Sequence, residues 1–160
     1  MFSHTRNLGL IALAVGMMIT AGGSEADADY GYGQRQYYSS WSYQPTQSYS
    51  YTRYYYRPTV TSNSYSYHYC ISYPSQPRYV YYYNPTSQVY WGRYDLEGKK
   101  GAEYSLLAEA DRKKDLKAIP ESAFPTPGAM PAIPDSKDGV SIEPIRTKPG
   151  DKPEDLPATN

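Results

Sequence analysis

The clearest polar and apolar pattern in the chain is a two-residue alternation over positions 64–73. Tyrosine or isoleucine occupies every second position from Tyr65 to Tyr73, and Ser, His or Cys occupies the positions between them. Because successive side chains of a strand point to opposite faces, this pattern would place the large side chains on one face of a strand. A stretch so polar is equally typical of a disordered tether. Strand and disorder are both open here, whereas for residues 29–50 we expect disorder.

Two β-type runs then flank the strongest turn signal of the chain. Residues 79–83 and 88–96 are rich in Tyr, Val and Trp, and Asn-Pro-Thr-Ser at 84–87 has the composition of a hairpin turn. A glycine-flanked turn precedes a third candidate strand at 103–107. Three strands with one covered face can be stable where two are marginal. The pattern predicts a small β-meander over about residues 79–107.

An unbroken two-residue period in the second run would assign its side chains to two faces. It places Val89 and Trp91 on one face and Tyr90, Tyr94 and Leu96 on the other. The rings of this hairpin form the set for which we predict a binding role. That set is Tyr81, Tyr82, Tyr83, Tyr90, Trp91 and Tyr94.

Helical spacing replaces the alternation after position 107. Glu109 and Lys113 stand four residues apart with the acid first, the favourable order for an ion pair on a helix. Leu116 and Ile119 supply an apolar edge, and Pro120 ends the pattern. We expect one short helix over about residues 108–119.

The remaining chain is rich in proline, with nine prolines between Pro120 and Pro157. Proline has no backbone donor and favours extended conformations. The composition therefore predicts a proline-rich extended tail that is largely unpacked. The apolar residues between Phe124 and Pro134 are expected to lie along a surface.

Composition limits what the chain before this tail can bury. Residues 29–94 contain 20 of the 21 tyrosines, no Leu, Ala, Met, Phe, Lys or Glu, and only four aliphatic side chains. A buried phenol hydroxyl needs a hydrogen-bond partner, so this segment is poorly suited to a conventional core. The predicted fold class is mostly disordered and low-complexity, with the small β-meander, the short helix and the extended tail.

The tetrapeptide Tyr-x-Pro-Thr occurs three times, at residues 43–46, 56–59 and 83–86. Its spacing is too irregular for a solenoid. Each proline favours extended backbone before it and removes a ladder donor. We interpret each repeat as a break between two extended segments.

The N-terminal residues have the composition of an export signal. Arg6 precedes an apolar run at 8–21, which is shorter than the roughly 20 residues that a membrane span needs. Ala26 and Ala28 then match the small-x-small pattern of a signal peptidase site. We expect cleavage after Ala28 and a secreted, periplasmic or cell-surface location, without a stable membrane span in the mature chain. The predicted organisation is a signal peptide at 1–28, a low-complexity segment at 29–77, a hairpin and helix module at 78–119 and the tail at 120–160.

Charge is balanced over the whole chain but not along it. Residues 29–94 carry five arginines against one aspartate, and residues 95–160 carry 13 acidic against 10 basic side chains. Neither part has the strong basic excess that is typical of nucleic-acid binding. We therefore expect no nucleic-acid partner.

Cys70 is the single cysteine, which excludes an internal disulfide framework. In an exported protein it is either a free thiol or the candidate for an interchain disulfide. His68 and Cys70 would share one strand face, as a thiolate–imidazole catalyst or two metal ligands would require. The sequence supplies no orienting group and no second pair of ligands beside them. We expect no enzymatic activity, no cofactor and no metal site.

The abundance of tyrosine is the remaining functional signal. Our first interpretation is an exported, non-enzymatic structural protein of the cell envelope or extracellular matrix. It would cohere with itself or with other envelope components through many weak tyrosine contacts. The tyrosines expected to mediate this self-association are Tyr49, Tyr51, Tyr65, Tyr67, Tyr69 and Tyr73. A disordered spacer, and an aromatic-faced module that binds a proline-rich peptide or a sugar, are the alternatives.

Several motifs in the second half of the chain occur together. They are YYYNP at 81–85, YWGR at 90–93, YSLL at 104–107, DRK at 111–113 and IPESAFPTPGAMPAIP at 119–134. With these motifs, the chain from Tyr79 to about Pro144 resembles small tyrosine-rich secreted proteins of planctomycete bacteria. The resemblance implies export and a single module of hairpin, helix and proline-rich segment, and it implies no catalytic residue.

The hairpin has a second, more limited resemblance. Arg78, the tyrosines that follow it, Asn84, Thr86 and Trp91 are similar to the second and third strands of the WW domain. That resemblance implies a Tyr and Trp groove for proline-rich peptides. The spacing from Asn84 to Trp91 is one residue shorter than in that domain. An aromatic sheet face and a proline-rich tail in one chain could also dock on each other.

Overall fold

The computed structural model describes residues 34–151, in which a curled antiparallel sheet is covered on both faces by the C-terminal chain. Its seven strands are β1 (Gln36–Tyr38), β2 (Ser42–Gln44), β3 (Tyr49–Tyr56), β4 (Ser66–Ser72), β5 (Tyr79–Asn84), β6 (Val89–Lys99) and β7 (Ala102–Leu106). The predicted signal peptide, with its cleavage site after Ala28, lies outside the described residues.

The strands form a meander. Their order in the sheet is β1-β3-β4-β5-β6-β7, and β2 also pairs with β3. Because β1 pairs with one end of β3 and β2 with the other, these two short strands form one interrupted edge of the sheet. β4 pairs directly with β5, so strands from both sides of residue 77, the predicted end of the low-complexity segment, belong to one continuous sheet.

The recurring Tyr-x-Pro-Thr sequence marks turns of this sheet. Its copies at residues 43–46 and 83–86 lead into the turns that join β2 to β3 and β5 to β6. Ser48 and Gln88 end these two turns with φ values of 53° and 57°. The copy at 56–59 lies where β3 ends. Two of the three copies therefore form equivalent hairpin turns.

The predicted meander is confirmed by β5, β6 and β7. The first of its turns is held by Asn84, whose Oδ1 accepts hydrogen bonds from the backbone N–H groups of Thr86 at 2.8 Å and Ser87 at 3.2 Å. Such a side-chain oxygen takes the place of a backbone acceptor and stabilises the turn. Gly101, in the turn before β7, has a φ of 85°, a region that favours glycine.

The chain after β7 crosses from one face of the sheet to the other. It contains three 3₁₀ turns, at Glu109–Asp111, Leu116–Ala118 and Glu121–Ala123. Between residues 107 and 124 it packs on what we call the first face. At the edge of β7, Tyr104 and Gly128 exchange backbone hydrogen bonds of 2.8 and 3.0 Å, and from Met130 the chain packs on the second face. Within residues 34–151, no helix has the length and apolar character that crossing a membrane would require.

Each face carries its own aromatic core. The buried members of the first face are Tyr49, Tyr69, Ile71, Tyr81, Tyr83, Tyr90, Leu107 and Ile119. Those of the second face are Tyr54, Tyr56, Cys70, Val80, Tyr82, Trp91, Tyr94, Tyr104, Ile133, Ile142 and Ile145. The aliphatic volume that the tyrosine-rich strands lack is supplied on both faces by the C-terminal chain.

The prediction that the chain is mostly disordered is wrong. The segment at 36–72 forms β1 to β4, and ten tyrosines among the described residues are buried. Two of these buried hydroxyls bond to another tyrosine: Tyr82 bonds to Tyr38 at 2.8 Å, and Tyr90 bonds to Tyr73 at 2.7 Å. Tyr54 and Tyr56 bond instead to the side chains of Gln36 and His68, whereas Oη of Tyr104 is buried without a partner among the described residues. Hydrogen bonds to tyrosine, glutamine and histidine side chains therefore accompany the burial of these rings.

The single helix predicted over residues 108–119 does not form. The backbone N–H of Tyr90 donates to the carbonyl of Lys113 at 2.9 Å, which ties the middle of this segment to β6. Asp115 then caps the second 3₁₀ turn by accepting from the backbone N–H of Lys117 at 2.9 Å. The following proline-rich chain is not left unpacked in its described part, because Ile133, Ile142 and Ile145 pack it against the sheet.

A β-bulge at Trp91 overturns the predicted assignment of faces. Tyr82 pairs with Gly92 and Tyr83 with Tyr90, so Trp91 is an extra residue in the ladder. A bulge shifts the alternation by one position. Trp91 and Tyr94 therefore share the second face, and Tyr90 alone of these three lies on the first. Leu96 packs on the second face as well.

Candidate functional site

A groove lies between the first face of the sheet and the chain at residues 114–121. Its volume is about 420 Å³. Six tyrosines line it: Tyr49, Tyr51, Tyr69, Tyr73, Tyr83 and Tyr90. Side chains that flank these rings are Gln47, Ile71, Ser75, Gln76, Leu116 and Ile119. We call this feature the tyrosine groove.

Strand alternation and antiparallel pairing bring the rings of the tyrosine groove together. Tyr49 and Tyr51 lie two residues apart on β3 and therefore share a face, and Tyr69 lies beside them on β4. The ring centroids are 5.8 Å apart for Tyr51 and Tyr69 and 5.7 Å apart for Tyr49 and Tyr73, both in edge-to-face contact. This geometry is favourable for aromatic pairs and fixes the ring orientations.

The opposite wall is fastened to the sheet by Arg93. Its guanidinium carbon lies 4.0 Å from the ring centroids of both Tyr79 and Phe124. The guanidinium also donates two hydrogen bonds to the carboxylate of Glu121, at 2.8 and 2.5 Å. This bond lowers the pKa of Glu121, which stays ionised. A bidentate pair of this kind fixes both groups in orientation, so it holds the wall in place.

Gln47 presents an unsatisfied acceptor at the tyrosine groove. Its Oε1 atom is buried and has no hydrogen-bond partner among the described residues. A buried amide oxygen without a partner costs about 1–3 kcal/mol. A ligand that donates a hydrogen bond at this point would recover that cost.

Burial favours the protonated form of several phenols in the tyrosine groove. Desolvation raises the pKa of Tyr49, Tyr73 and Tyr90 above the usual value for tyrosine. It also raises the pKa of Tyr69 to about 12. A protonated phenol both donates and accepts hydrogen bonds. The groove therefore offers flat apolar rings beside donors and acceptors.

The rim of the tyrosine groove carries an excess of positive charge. Lys114, Asp115 and Lys117 line it and are exposed. Among the described residues neither of these lysines forms a salt bridge, and Glu121 is neutralised by Arg93. The rim therefore carries two positive side chains and one negative side chain that is not neutralised by an ion pair.

The structure separates the six residues predicted to bind. All six are buried, but Tyr81, Tyr83 and Tyr90 lie on the first face, and Tyr82, Trp91 and Tyr94 lie on the second. Of these, Tyr83 and Tyr90 line the tyrosine groove. Successive residues of a strand face opposite sides, which divides Tyr81 to Tyr83 between the two faces, and the bulge at Trp91 places Tyr94 on the second face with Trp91.

The tyrosines predicted to mediate self-association are placed in two groups. Tyr49, Tyr51, Tyr69 and Tyr73 line the tyrosine groove. Tyr65 and Tyr67 lie outside it, and Tyr67 is 37% exposed. The two predicted sets therefore meet in the groove, each contributing part of its lining.

Cys70 does not have the exposure that the predicted interchain disulfide needs. It is a free thiol, fully buried in the core of the second face, and burial raises its pKa well above the usual value. A buried, protonated thiol cannot attack another chain while the sheet is closed. His68 is buried beside Trp91 at a ring distance of 5.2 Å, and desolvation lowers its pKa to about 4.

Sequence reasoning missed Gln47, Gln76 and the lysines of the rim. Gln47 is in the turn that follows the first Tyr-x-Pro-Thr copy, so recognition of that repeat as a hairpin turn would have placed it at a strand end. The helix predicted over residues 108–119 includes the rim residues, but helical spacing carries no information on a groove wall that is made of 3₁₀ turns.

Comparison with protein families, characterised proteins and solved structures finds no match to this chain. Within residues 34–151, no three His, Cys, Asp or Glu side chains converge on a position that could hold a metal ion. The tyrosine groove is therefore the candidate functional site.

Proposed function

We propose that this protein is an exported, non-enzymatic interaction protein of the cell envelope or extracellular matrix that holds a sugar ring in the tyrosine groove. One observation carries the proposal: six tyrosines converge on a groove of about 420 Å³ beside the unpartnered Oε1 of Gln47. Ligand sites are typically concave and mainly apolar, with a few placed polar groups.

A saccharide has the chemistry that this lining would recognise. Its ring has C–H faces that pack on aromatic rings, and its hydroxyl groups both donate and accept hydrogen bonds. The groove supplies aromatic faces, protonated phenols and the amides of Gln47 and Gln76. Since every sugar hydroxyl must find a partner when it leaves water, this mixture suits a sugar better than a purely apolar molecule.

A proline-rich peptide fits the groove less well. Such a peptide has carbonyl acceptors but few backbone donors, because proline has no N–H group. It therefore offers few donors to the unpartnered Oε1 of Gln47, whereas the hydroxyls of a sugar can donate to this oxygen.

The test is binding of the purified mature protein to an array of neutral and acidic oligosaccharides, with proline-rich peptides included. We expect retention on one class of saccharide, and a decrease of about tenfold in affinity for Gln47→Ala and for Tyr51→Leu, which corresponds to about 1.4 kcal/mol. Ser87→Ala, at the equivalent position of the β5–β6 turn, is the matched control and is expected to bind normally. Retention of peptides alone, or saccharide binding that is indifferent to both groove variants, would overturn the proposal.

Self-association through tyrosine contacts is the second candidate, and the exposure of Tyr67 and Tyr43 at 37% and 59% favours it. Many weak ring contacts between copies would be needed, at about 0.5–1.5 kcal/mol each. Sedimentation velocity over a wide concentration range tests it. Assembly that grows with concentration and decreases in Tyr67→Ser supports this candidate, and a monomer at all concentrations refutes it.

A further inference from the structure

A continuous track of tyrosine rings leads out of the tyrosine groove along the first face. From Tyr51 in the groove, ring contacts pass to Tyr69 at 5.8 Å, to Tyr67 at 5.4 Å and to Tyr55 at 5.7 Å. Tyr51 and Tyr55 are four residues apart on one strand, a separation of about 14 Å at about 3.4 Å per residue. Tyr69 is buried within this track, whereas Tyr51 and Tyr55 are half-buried and Tyr67 is exposed, so the accessible rings continue beyond the groove by more than the length of one sugar ring.

Arg53 lies on this track between the rings. Its guanidinium carbon is 5.8 Å from the ring centroid of Tyr69 and 5.9 Å from that of Tyr67, and its Nη1 donates to the hydroxyl of Tyr55 at 3.4 Å. These contacts hold a half-buried cation at a defined place among aromatic faces. Among the described residues no carboxylate pairs with Arg53.

The groove and the track together have a positive charge balance. Arg53, Lys114 and Lys117 are positive, Asp115 is the one negative side chain beside them, and the Arg93–Glu121 pair is neutral. A neutral ligand would leave this excess uncompensated. A ligand with carboxylates at intervals along its length would neutralise it, and guanidinium is well suited to bind a carboxylate in a bidentate manner.

We propose that the ligand is a linear polysaccharide bearing carboxylate groups, a polyuronate, with one sugar in the tyrosine groove and the following sugars along the tyrosine track. This inference rests on the proposed function. It adds the charge of the ligand, its minimum length and the role of Arg53, which binds a uronate carboxylate. An acidic peptide would satisfy the charges but not the ring-lined groove, so it is a separate outcome of the test.

Calorimetric titration with four probes tests the inference: hexagalacturonate, digalacturonate, the neutral hexasaccharide cellohexaose, and oligoglutamate. We expect hexagalacturonate to bind at least about tenfold more tightly than cellohexaose and digalacturonate, and to weaken as salt is added. Arg53→Gln and Lys117→Gln should each remove several-fold of the preference for the charged hexasaccharide, and Arg53→Lys should restore part of it. Tyr67→Ala should weaken the binding of the hexasaccharide and leave that of the disaccharide unchanged.

The controls lie away from the groove. Lys137→Gln removes an equivalent exposed charge from the C-terminal chain, and Tyr43→Ala removes an exposed ring near the β2 edge; neither should alter binding. Because Lys117 is exposed, its variant keeps the test valid even if a change at Arg53 disturbs β3. Equal binding of cellohexaose, tighter binding of oligoglutamate, or no binding of hexagalacturonate overturns the inference. Binding of neutral sugars alone that depends on Gln47 would overturn it and leave the proposed function intact.

Discussion

Tyrosine takes the place of the usual aliphatic residues in the core of this protein. A buried phenol is stable when its hydroxyl has a partner, and here partners include other tyrosines, two glutamine amides and His68. Tyr54, for example, donates to Oε1 of Gln36 at 2.7 Å, and the same oxygen accepts from the backbone N–H of Glu143 at 3.1 Å. The sequence shows how many tyrosine rings are present, but which hydroxyls bond to one another depends on the register of the strands.

Close packing of tyrosine rings also explains the need for Gly92. A Cβ atom at this position would lie 2.3 Å from Oη of Tyr104 and 2.7 Å from the carbonyl oxygen of Ser105. Gly92→Ala should therefore lower the free energy of unfolding by about 1–3 kcal/mol, the usual cost of overpacking. Urea unfolding followed by circular dichroism measures the change.

Gly128→Ala is the matched control for that prediction, because a Cβ at Gly128 meets no atom within 4 Å. Its effect should be within about 0.5 kcal/mol of zero. An equal loss of stability in the two variants would show that the clash with Tyr104 is not the cause.

The bulge at Trp91 shows where residue patterns stop being informative. The alternation of β4 was visible in the sequence and the strand forms at Ser66–Ser72. In β6 the same reasoning assigned Tyr94 and Leu96 to the wrong face, because a two-residue period assumes an unbroken ladder. Beside the bulge, Tyr104 packs closely over Gly92, a contact between two strands that no local pattern contains.

At the scale of elements, the C-terminal chain supplies aliphatic side chains that cover both faces of the sheet. The hairpin at Asn84 was predictable because turn chemistry is local. The packing of the tail was not predictable, because Ile133 and Ile142 pack against strands that lie far earlier in the sequence. The predicted helix does not form for the same reason, because the carbonyl of Lys113 accepts a hydrogen bond from Tyr90 of β6 and not from the following helical turn.

The contribution of the tail can be measured with two changes in one short segment. Ile142 is 1% exposed and packs in the core of the second face, whereas Val140 is 41% exposed. Ile142→Ala should lower the free energy of unfolding by about 2–5 kcal/mol, and Val140→Ala should change it by less than about 0.5 kcal/mol. Denaturant unfolding of both variants is the measurement. A similar small effect of both changes would mean that the tail does not belong to the core.

At the scale of the whole molecule, the fold links stability to the ionisation of tyrosine. Burial raises the pKa of Tyr38, Tyr54, Tyr82, Tyr90 and Tyr104, and raises that of Tyr56 and Tyr69 to about 12, from a usual value of 10.0. A group whose pKa is raised by folding contributes stability that is present below its unfolded pKa and is lost as the pH rises toward its folded pKa. Many such groups in one sheet should make the loss of structure above about pH 10 steep.

The most direct test of a folded tyrosine core is a simultaneous alkaline titration of tyrosinate absorbance and far-ultraviolet circular dichroism. If the account is correct, the buried tyrosines ionise only in a steep step above about pH 10, and the β-sheet signal disappears in the same step. If the tyrosine-rich segment is instead an unfolded tether, all tyrosines ionise independently near about pH 10 without any accompanying change in circular dichroism. That second result would contradict the fold and, with it, the tyrosine groove.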